Sequence, residues 1–212
     1  MTHSNSQSQH LASAFALKEW QVIAELLARG AISTMLRKGG IAEGPGGFRA
    51  KHEAAWIYPT QFHQAAVLQT GSSLRSEWQA LLQSNPPAPL PELGEGKITL
   101  SIYAQPIVAV SITSLDELVA VESLQALDRK MLEDRFHYKK PGLTLLVTRI
   151  FTSAEMYTLL ESQAMAGCHS WVDLPQALEV VDPRPALSDH AFSTLLAEIG
   201  ERLGREVMSA PL

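Results

Sequence analysis

The sequence holds a single cysteine, Cys168, among 212 residues. One thiol forms no internal disulfide and builds no thiolate metal site. In the run Gly167-Cys168-His169-Ser170-Trp171 an imidazole follows the thiol. Adjacent residues on a strand point to opposite faces, however, so a small apolar filler is the expected role. No apolar run reaches the ~18 to 20 residues of a membrane span. The leading MTHSNSQSQH has no Lys or Arg and no apolar stretch. It reads as a disordered tail (1–12) rather than a signal peptide, which points to a cytoplasmic protein with no membrane partner. There is no HExxH and no HxH, and His137, His169 and His190 are scattered. No metal and no cofactor is therefore expected. No repeat of 20–50 residues is visible, and nothing in the sequence fixes an oligomeric state.

What is present supports a folded domain. Apolar residues make up 46% and charged residues 18%, enough for a sizeable core and against global disorder. The net charge is −5 with a pI near 5.8, which argues against sequence-blind nucleic-acid binding by the whole surface. The charge is uneven. Residues 31–63 and 129–149 together hold ten basic and four acidic residues, so the remainder of the chain carries −11. An acidic body with two basic segments is an asymmetry with functional meaning.

Hydrophobic spacing organises the chain. Ala16, Trp20, Ile23 and Leu27 predict a helix over 14–29, with Gly30 as its stop. Strands are expected at 31–37 and 48–58, joined as a hairpin through a Gly-rich tip at 39–47. Thr60 is the expected N-cap of a short helix from Gln61, and a further helix is predicted at 73–84. NPPAPLPELGEG, residues 85–96, reads as a linker or surface loop, dividing a helix-hairpin-helix portion (13–84) from an α+β portion (97–212). Alternation begins at Ile98, with an interruption at Pro106 that implies two pieces or a bulge. Ser114 with Glu117 is a capping box that starts a helix, continuing with breaks to about Phe136. A buried strand follows at 143–151. Thr152 with Glu155 is a second capping box, predicting a helix to about Gln163. A last strand is expected at 168–174, and a C-terminal helix after Ser188. The fold class is α+β, with a mixed or largely antiparallel sheet flanked by helices.

The stretch LRKGGIAEGPGGFRAKHEAAWIYPTQFHQ, residues 36–64, draws the most attention. Bare backbone N–H groups in a glycine-rich loop can close on an anion. The run lacks the Lys and Ser/Thr of a P-loop and leads into a strand, so it is neither a P-loop nor a dinucleotide fingerprint. On an antiparallel hairpin, Arg37 and Lys38 would face Arg49 and Lys51 near the tip, beside Gly39 and Gly40. Four cations on one hairpin repel one another unless solvated or matched by an anion. His63, in the turn after Thr60, could serve as general acid or base with Glu53 or Glu43 assisting. DRFHYKKPGLTLLVTRIF, residues 134–151, interleaves Phe136 and Tyr138 with Arg135, Lys139 and Lys140. Aromatics can stack bases while cations hold phosphates. Glu95-Gly96-Lys97 and Asp128-Arg129-Lys130 match a nuclease-like acid-x-Lys pattern, at the frequency chance predicts.

These segments, together with AFALKEWQVIAELLARG and GCHSWVDL, resemble in order an uncharacterised bacterial family, domain of unknown function 1802. The resemblance covers most of residues 14–178. It implies no reaction. Through relatives beside restriction-endonuclease-type domains, it implies a nucleic-acid context by analogy. The strand order, closing on a Trp-bearing strand, also resembles small PUA-like barrels that bind RNA or modified bases, which implies a barrel-like second half. The leading expectation is nucleic-acid or phosphorylated-ligand binding through Arg37, Lys38, Gly39, Gly40, Arg49, Lys51, Thr60, Tyr138 and Lys139. The alternatives are an enzyme acting on a phosphorylated small molecule or nucleic-acid end, with His63 and Glu53 catalytic, and a protein-interaction domain anchored on Trp56 and Tyr58.

Overall fold

The segment ASAFALKEW satisfies two periods at once, and the strand period prevails. The computed structural model describes residues 11–38, 51–60, 73–86, 96–165 and 169–207. In it Ala12–Trp20 is strand β1, and the helix expected over 14–29 is only α1, Gln21–Ala28. Trp20, with ψ of 138°, is the extended N-cap between them. Ala16 and Leu17 are both buried, because both faces of this strand are covered, and that hides the alternation in the sequence. The predicted stop is met. Gly30 has φ of +67°, its N–H bonds to Leu27 O and that of Ala31 to Leu26 O, which is a Schellman closure.

The remaining elements follow in order: β2 Thr34–Arg37, β3 Ala55–Thr60, α2 Ser76–Ser84, β4 Lys97–Ile112, α3 Leu115–Val121, α4 Arg129–His137, β5 Leu143–Leu160, β6 Trp171–Glu179, β7 Arg184–Pro185 and α5 Asp189–Leu203. Ser114, Asp128 and Ser188 cap α3, α4 and α5 by accepting from the N–H groups of Glu117, Met131 and Ala191. Among the described residues the seven strands form one mixed sheet, ordered β2-β5-β4-β3-β1-β6 with β7 on β5. The α+β class is as expected from sequence.

Two local expectations fail for the same reason, long-range pairing. The hairpin of 31–37 with 48–58 does not form. β2 pairs with β5, while β3 starts only at Ala55 and pairs with β1 in parallel and with β4. The helix from Thr152 does not form either, since β5 continues to Leu160 against β4, with Thr152 opposite Ile102 and Tyr157 opposite Leu100. The predicted interruption near Pro106 is a register shift between Pro106 and Val108, and a second lies between Leu100 and Ile102.

These bulges let one ladder serve two cores. The first packs Leu17, Ile57, Val110, Leu145 and Val147 against the helices. The second encloses Ala16, Trp56, Tyr58, Leu100, Tyr103, Val172 and Leu174 within the curl of the sheet. Trp56 and Tyr103 meet edge to face, as do Trp56 and Tyr157. The sheet path is open, but the chain leaving β6 returns along β5. Ala154 N–H bonds to Val181 O at 2.8 Å and Tyr157 O–H to Glu179 O at 2.9 Å. This end of the sheet is barrel-like in that sense.

Gly30 closes α1 where an added Cβ would collide with the carbonyl oxygen of Ala186. Gly30→Ala therefore combines left-handed strain with a clash, and a loss of about 2 kcal/mol is expected in urea denaturation.

Candidate functional site

The last three residues of β1 gather two arginines and a hydroxyl from three distant parts of the chain. Glu19 is 5% exposed and Arg37 14%. Arg37 NH1 donates to Glu19 Oε2 at 2.7 Å and to Lys18 O at 3.1 Å. The other carboxylate oxygen, Oε1, accepts the Trp20 N–H at 2.8 Å. Thr60 donates its hydroxyl to Glu19 O at 3.2 Å. Arg135, from α4, lies over the Trp20 ring, 4.7 Å from its centroid. Burial pushes the Arg135 guanidinium down from its ordinary value; Glu19 opposes this and Arg37 adds to it. Two guanidiniums thus crowd one carboxylate, and the cluster keeps an excess positive charge beside an indole.

Lys38 locks the next turn. Its ammonium donates to the carbonyls of Phe136 and Gly142, each at 2.8 Å, and to that of Lys140. Three donors meet three acceptors at the C-terminal end of α4, where cations are favoured. Lys38 is accordingly a clamp on the loop, its N–H groups used within the protein. The clamped loop presents Tyr138, 55% exposed, with the Lys139 ammonium 5.2 Å from the ring centroid. Lys139 is a non-glycine residue at φ of +61°. Arg37 and Lys38 of the first basic segment and Arg135 to Lys140 of the second therefore share one face.

The other predicted residues divide into four groups. Gly39, Gly40, Glu43, Arg49, His63 and Cys168 lie outside the described residues. Lys51 and Glu53 are exposed and flank His52, which stacks on Phe15 at 3.6 Å and meets Trp171 edge-on. Phe15 precedes Glu19 by four strand positions, about 13 Å at ~3.3 Å per residue, so Lys51 is not beside Arg37. The shared hairpin face is corrected accordingly. Trp56 and Tyr58 are 0% and 2% exposed, which removes the protein-interaction reading built on them. Tyr58 instead donates its hydroxyl to Glu161, which with burial pushes its pKa up, and Lys18 lies 5.3 Å over its ring. Asp128 is spent on capping α4 and Lys130 pairs with Asp134, so the second acid-x-Lys match is structural. Among the described residues no three His, Cys, Asp or Glu side chains cluster as metal ligands.

Sequence reasoning did not single out Glu19 and Trp20, because it placed them on a helix. The available signal was the charged pair Lys18-Glu19 within the otherwise apolar and aromatic AFALKEW. What the arrangement can do is hold an anion: cations in excess, one exposed aromatic ring and a loop fixed in place.

Residues 16–198 match the model for Domain of unknown function (DUF1802), and the chain belongs to this family. No curated protein matches it. Two solved structures from Zymomonas mobilis are similar. One is the crystal structure of ASCH, at 10% identity, covering 86% of this chain and 93% of that one with a TM-score of 0.40. The other is a mutant of ZmASCH, at 12% identity, covering 64% and 66% with a TM-score of 0.38. At these values the likeness carries nothing about what this chain binds.

Two outcomes are expected. Arg37→Met and Glu19→Gln each strand a buried charge and should cost about 3 kcal/mol, while the double variant should lose at least ~1 kcal/mol less than their sum; additive losses in urea denaturation would show that the pair is not coupled. Burial lowers the pKa of His52 and of His169 from 6.5, with Asp173 opposing in both, Lys51 adding at His52 and Lys18 at His169. The folded state then binds fewer protons than the unfolded one. The stability these histidines contribute is complete above about pH 6.5 and is lost as pH falls through their lower folded values. Urea midpoints at pH 8 and pH 5 should differ less in a His52→Gln, His169→Gln variant than in the unaltered chain.

Proposed function

We propose that the face formed by Trp20, Arg135, Tyr138, Lys139 and Lys140, with Arg37 holding Glu19 beneath it, binds the phosphates of a nucleic acid. The observation that carries this is the Arg135 guanidinium. It is half-buried over Trp20, and the carboxylate nearest to it is already bonded to Arg37. A phosphate oxygen would supply the acceptor that this guanidinium lacks among the described residues, and charge-assisted bonds to Arg suit that geometry. Lys139 and Lys140 extend the positive surface into solvent. Gly39 and Gly40 follow Lys38 directly, and their part in anion binding, with that of Arg49, rests on the sequence alone. Thr60 belongs to the face through its bond to Glu19.

Lys38 enters this reading as the residue that positions the loop rather than as a phosphate ligand. Lys51 falls outside it. The enzymatic reading rests on the sequence alone, because Glu53 is an exposed residue before β3 and His63 lies outside the described residues.

Fluorescence anisotropy with labelled DNA and RNA oligonucleotides across a salt series tests the proposal. Binding should weaken linearly in log–log form, with a slope of about −2 to −3, the value for three or four phosphate contacts. Lys139→Glu with Lys140→Glu should weaken binding about tenfold or more and flatten that slope. Absence of binding to every oligonucleotide at low salt would overturn the reading.

A further inference from the structure

We infer that the nucleic acid held here is single-stranded, an inference that rests on the phosphate-binding reading of the same face. The basis is the way cations and rings alternate. Arg135 covers the Trp20 ring at 4.7 Å, and the Lys139 ammonium stands 5.2 Å from the centroid of Tyr138. Arg135 and Tyr138 are three residues apart at the end of α4, so the two pairs are neighbours on one side of the helix, about 5 to 6 Å apart at Cβ. The resulting order is indole, guanidinium, phenol, ammonium.

A duplex gains little from such an order. Its bases are stacked inside and present no free π-face, so only the cations would find partners. A single strand offers both groups in turn, a base face for the exposed Tyr138 ring and phosphates for the cations around it. Tyr138 is among the large side chains most exposed in the described structure, at 55%, with the Lys139 ammonium against its ring. Lys139 adds a second observation. It occupies a left-handed conformation, φ of +61°, that glycine would adopt with less strain. The side chain is kept there, and the Lys38 clamp on Phe136, Lys140 and Gly142 holds the turn that aims it along the ring.

The experiment compares one labelled oligonucleotide, free and annealed to its complement, as DNA and as RNA. At moderate salt the single strands should bind about tenfold tighter than the duplexes. Tyr138→Leu should lose about tenfold on single strands and little on duplexes, with the salt slope unchanged, whereas Tyr138→Phe should bind as the unaltered chain does. Lys139→Gly should keep or raise the melting temperature and flatten the single-strand slope by ~0.7. Equal binding of single and double strands with a silent Tyr138→Leu would overturn the single-strand inference and leave the phosphate-binding reading standing. No binding to either form would remove both.

Discussion

One ladder, β4 against β5, holds the molecule together. It runs from Lys97 opposite Leu160 to Ile112 opposite Leu143, and it belongs to both cores. A flat ladder of that length would give one face to each core throughout. The register shift between Leu100 and Ile102 changes which residues face which core: Ile98 and Leu100 join the second core, then Tyr103, while Ile102, Ala104, Val108 and Val110 face the first. The sheet bends, and bending is what brings β2 and β1 together. They stand at well-separated places in the strand order, yet Arg37 of one reaches Lys18 and Glu19 of the other. The candidate site exists because the sheet folds over.

Burial then gives Glu19 its organising role. A carboxylate removed from water must be matched, and here it is matched by Arg37, by the Trp20 backbone and by the nearby charge of Arg135. Such a group adds little net stability compared with an apolar replacement, but it fixes the relative position of the elements it joins. Lys38 does the same one residue further along, with carbonyls in place of a carboxylate. Cations that look like ligands in a sequence can thus be divided by what they already hold. Arg37 and Lys38 are engaged inside the protein, and Lys139 and Lys140 point outward.

Much of this was legible in the sequence where local chemistry decides. The Ser188 cap and the Phe192, Leu195, Ile199 stripe gave α5, Ser114 with Glu117 gave α3, and the buried run after Leu143 gave the first half of β5. What was not legible was partner choice. Thr152 and Glu155 have the letters of a capping box, and they lie in a strand because β4 offers Ile102 as a partner there. The Gly-rich run after Arg37 has the letters of a hairpin tip, and β2 pairs with β5 instead. The site followed the same rule. Arg37, Lys38, Arg135, Tyr138 and Lys139 were visible as basic and aromatic residues, but Arg135 over Trp20 and Lys38 on Gly142 are contacts spanning over a hundred positions, which no local pattern encodes.

The position of β1 has a consequence for biosynthesis. Its two neighbours are β3 in parallel and β6 in antiparallel register, and β6 pairs Trp171 with Leu17. As the ribosome makes the chain at about 5 to 20 residues per second, one edge of β1 waits on the order of ten seconds for its partner. During that interval an apolar strand with Phe15, Leu17 and Trp20 has open N–H and C=O groups. Residues 1–170 carry 14 basic and 15 acidic side chains, so before β6 emerges net charge does little to keep such nascent chains apart.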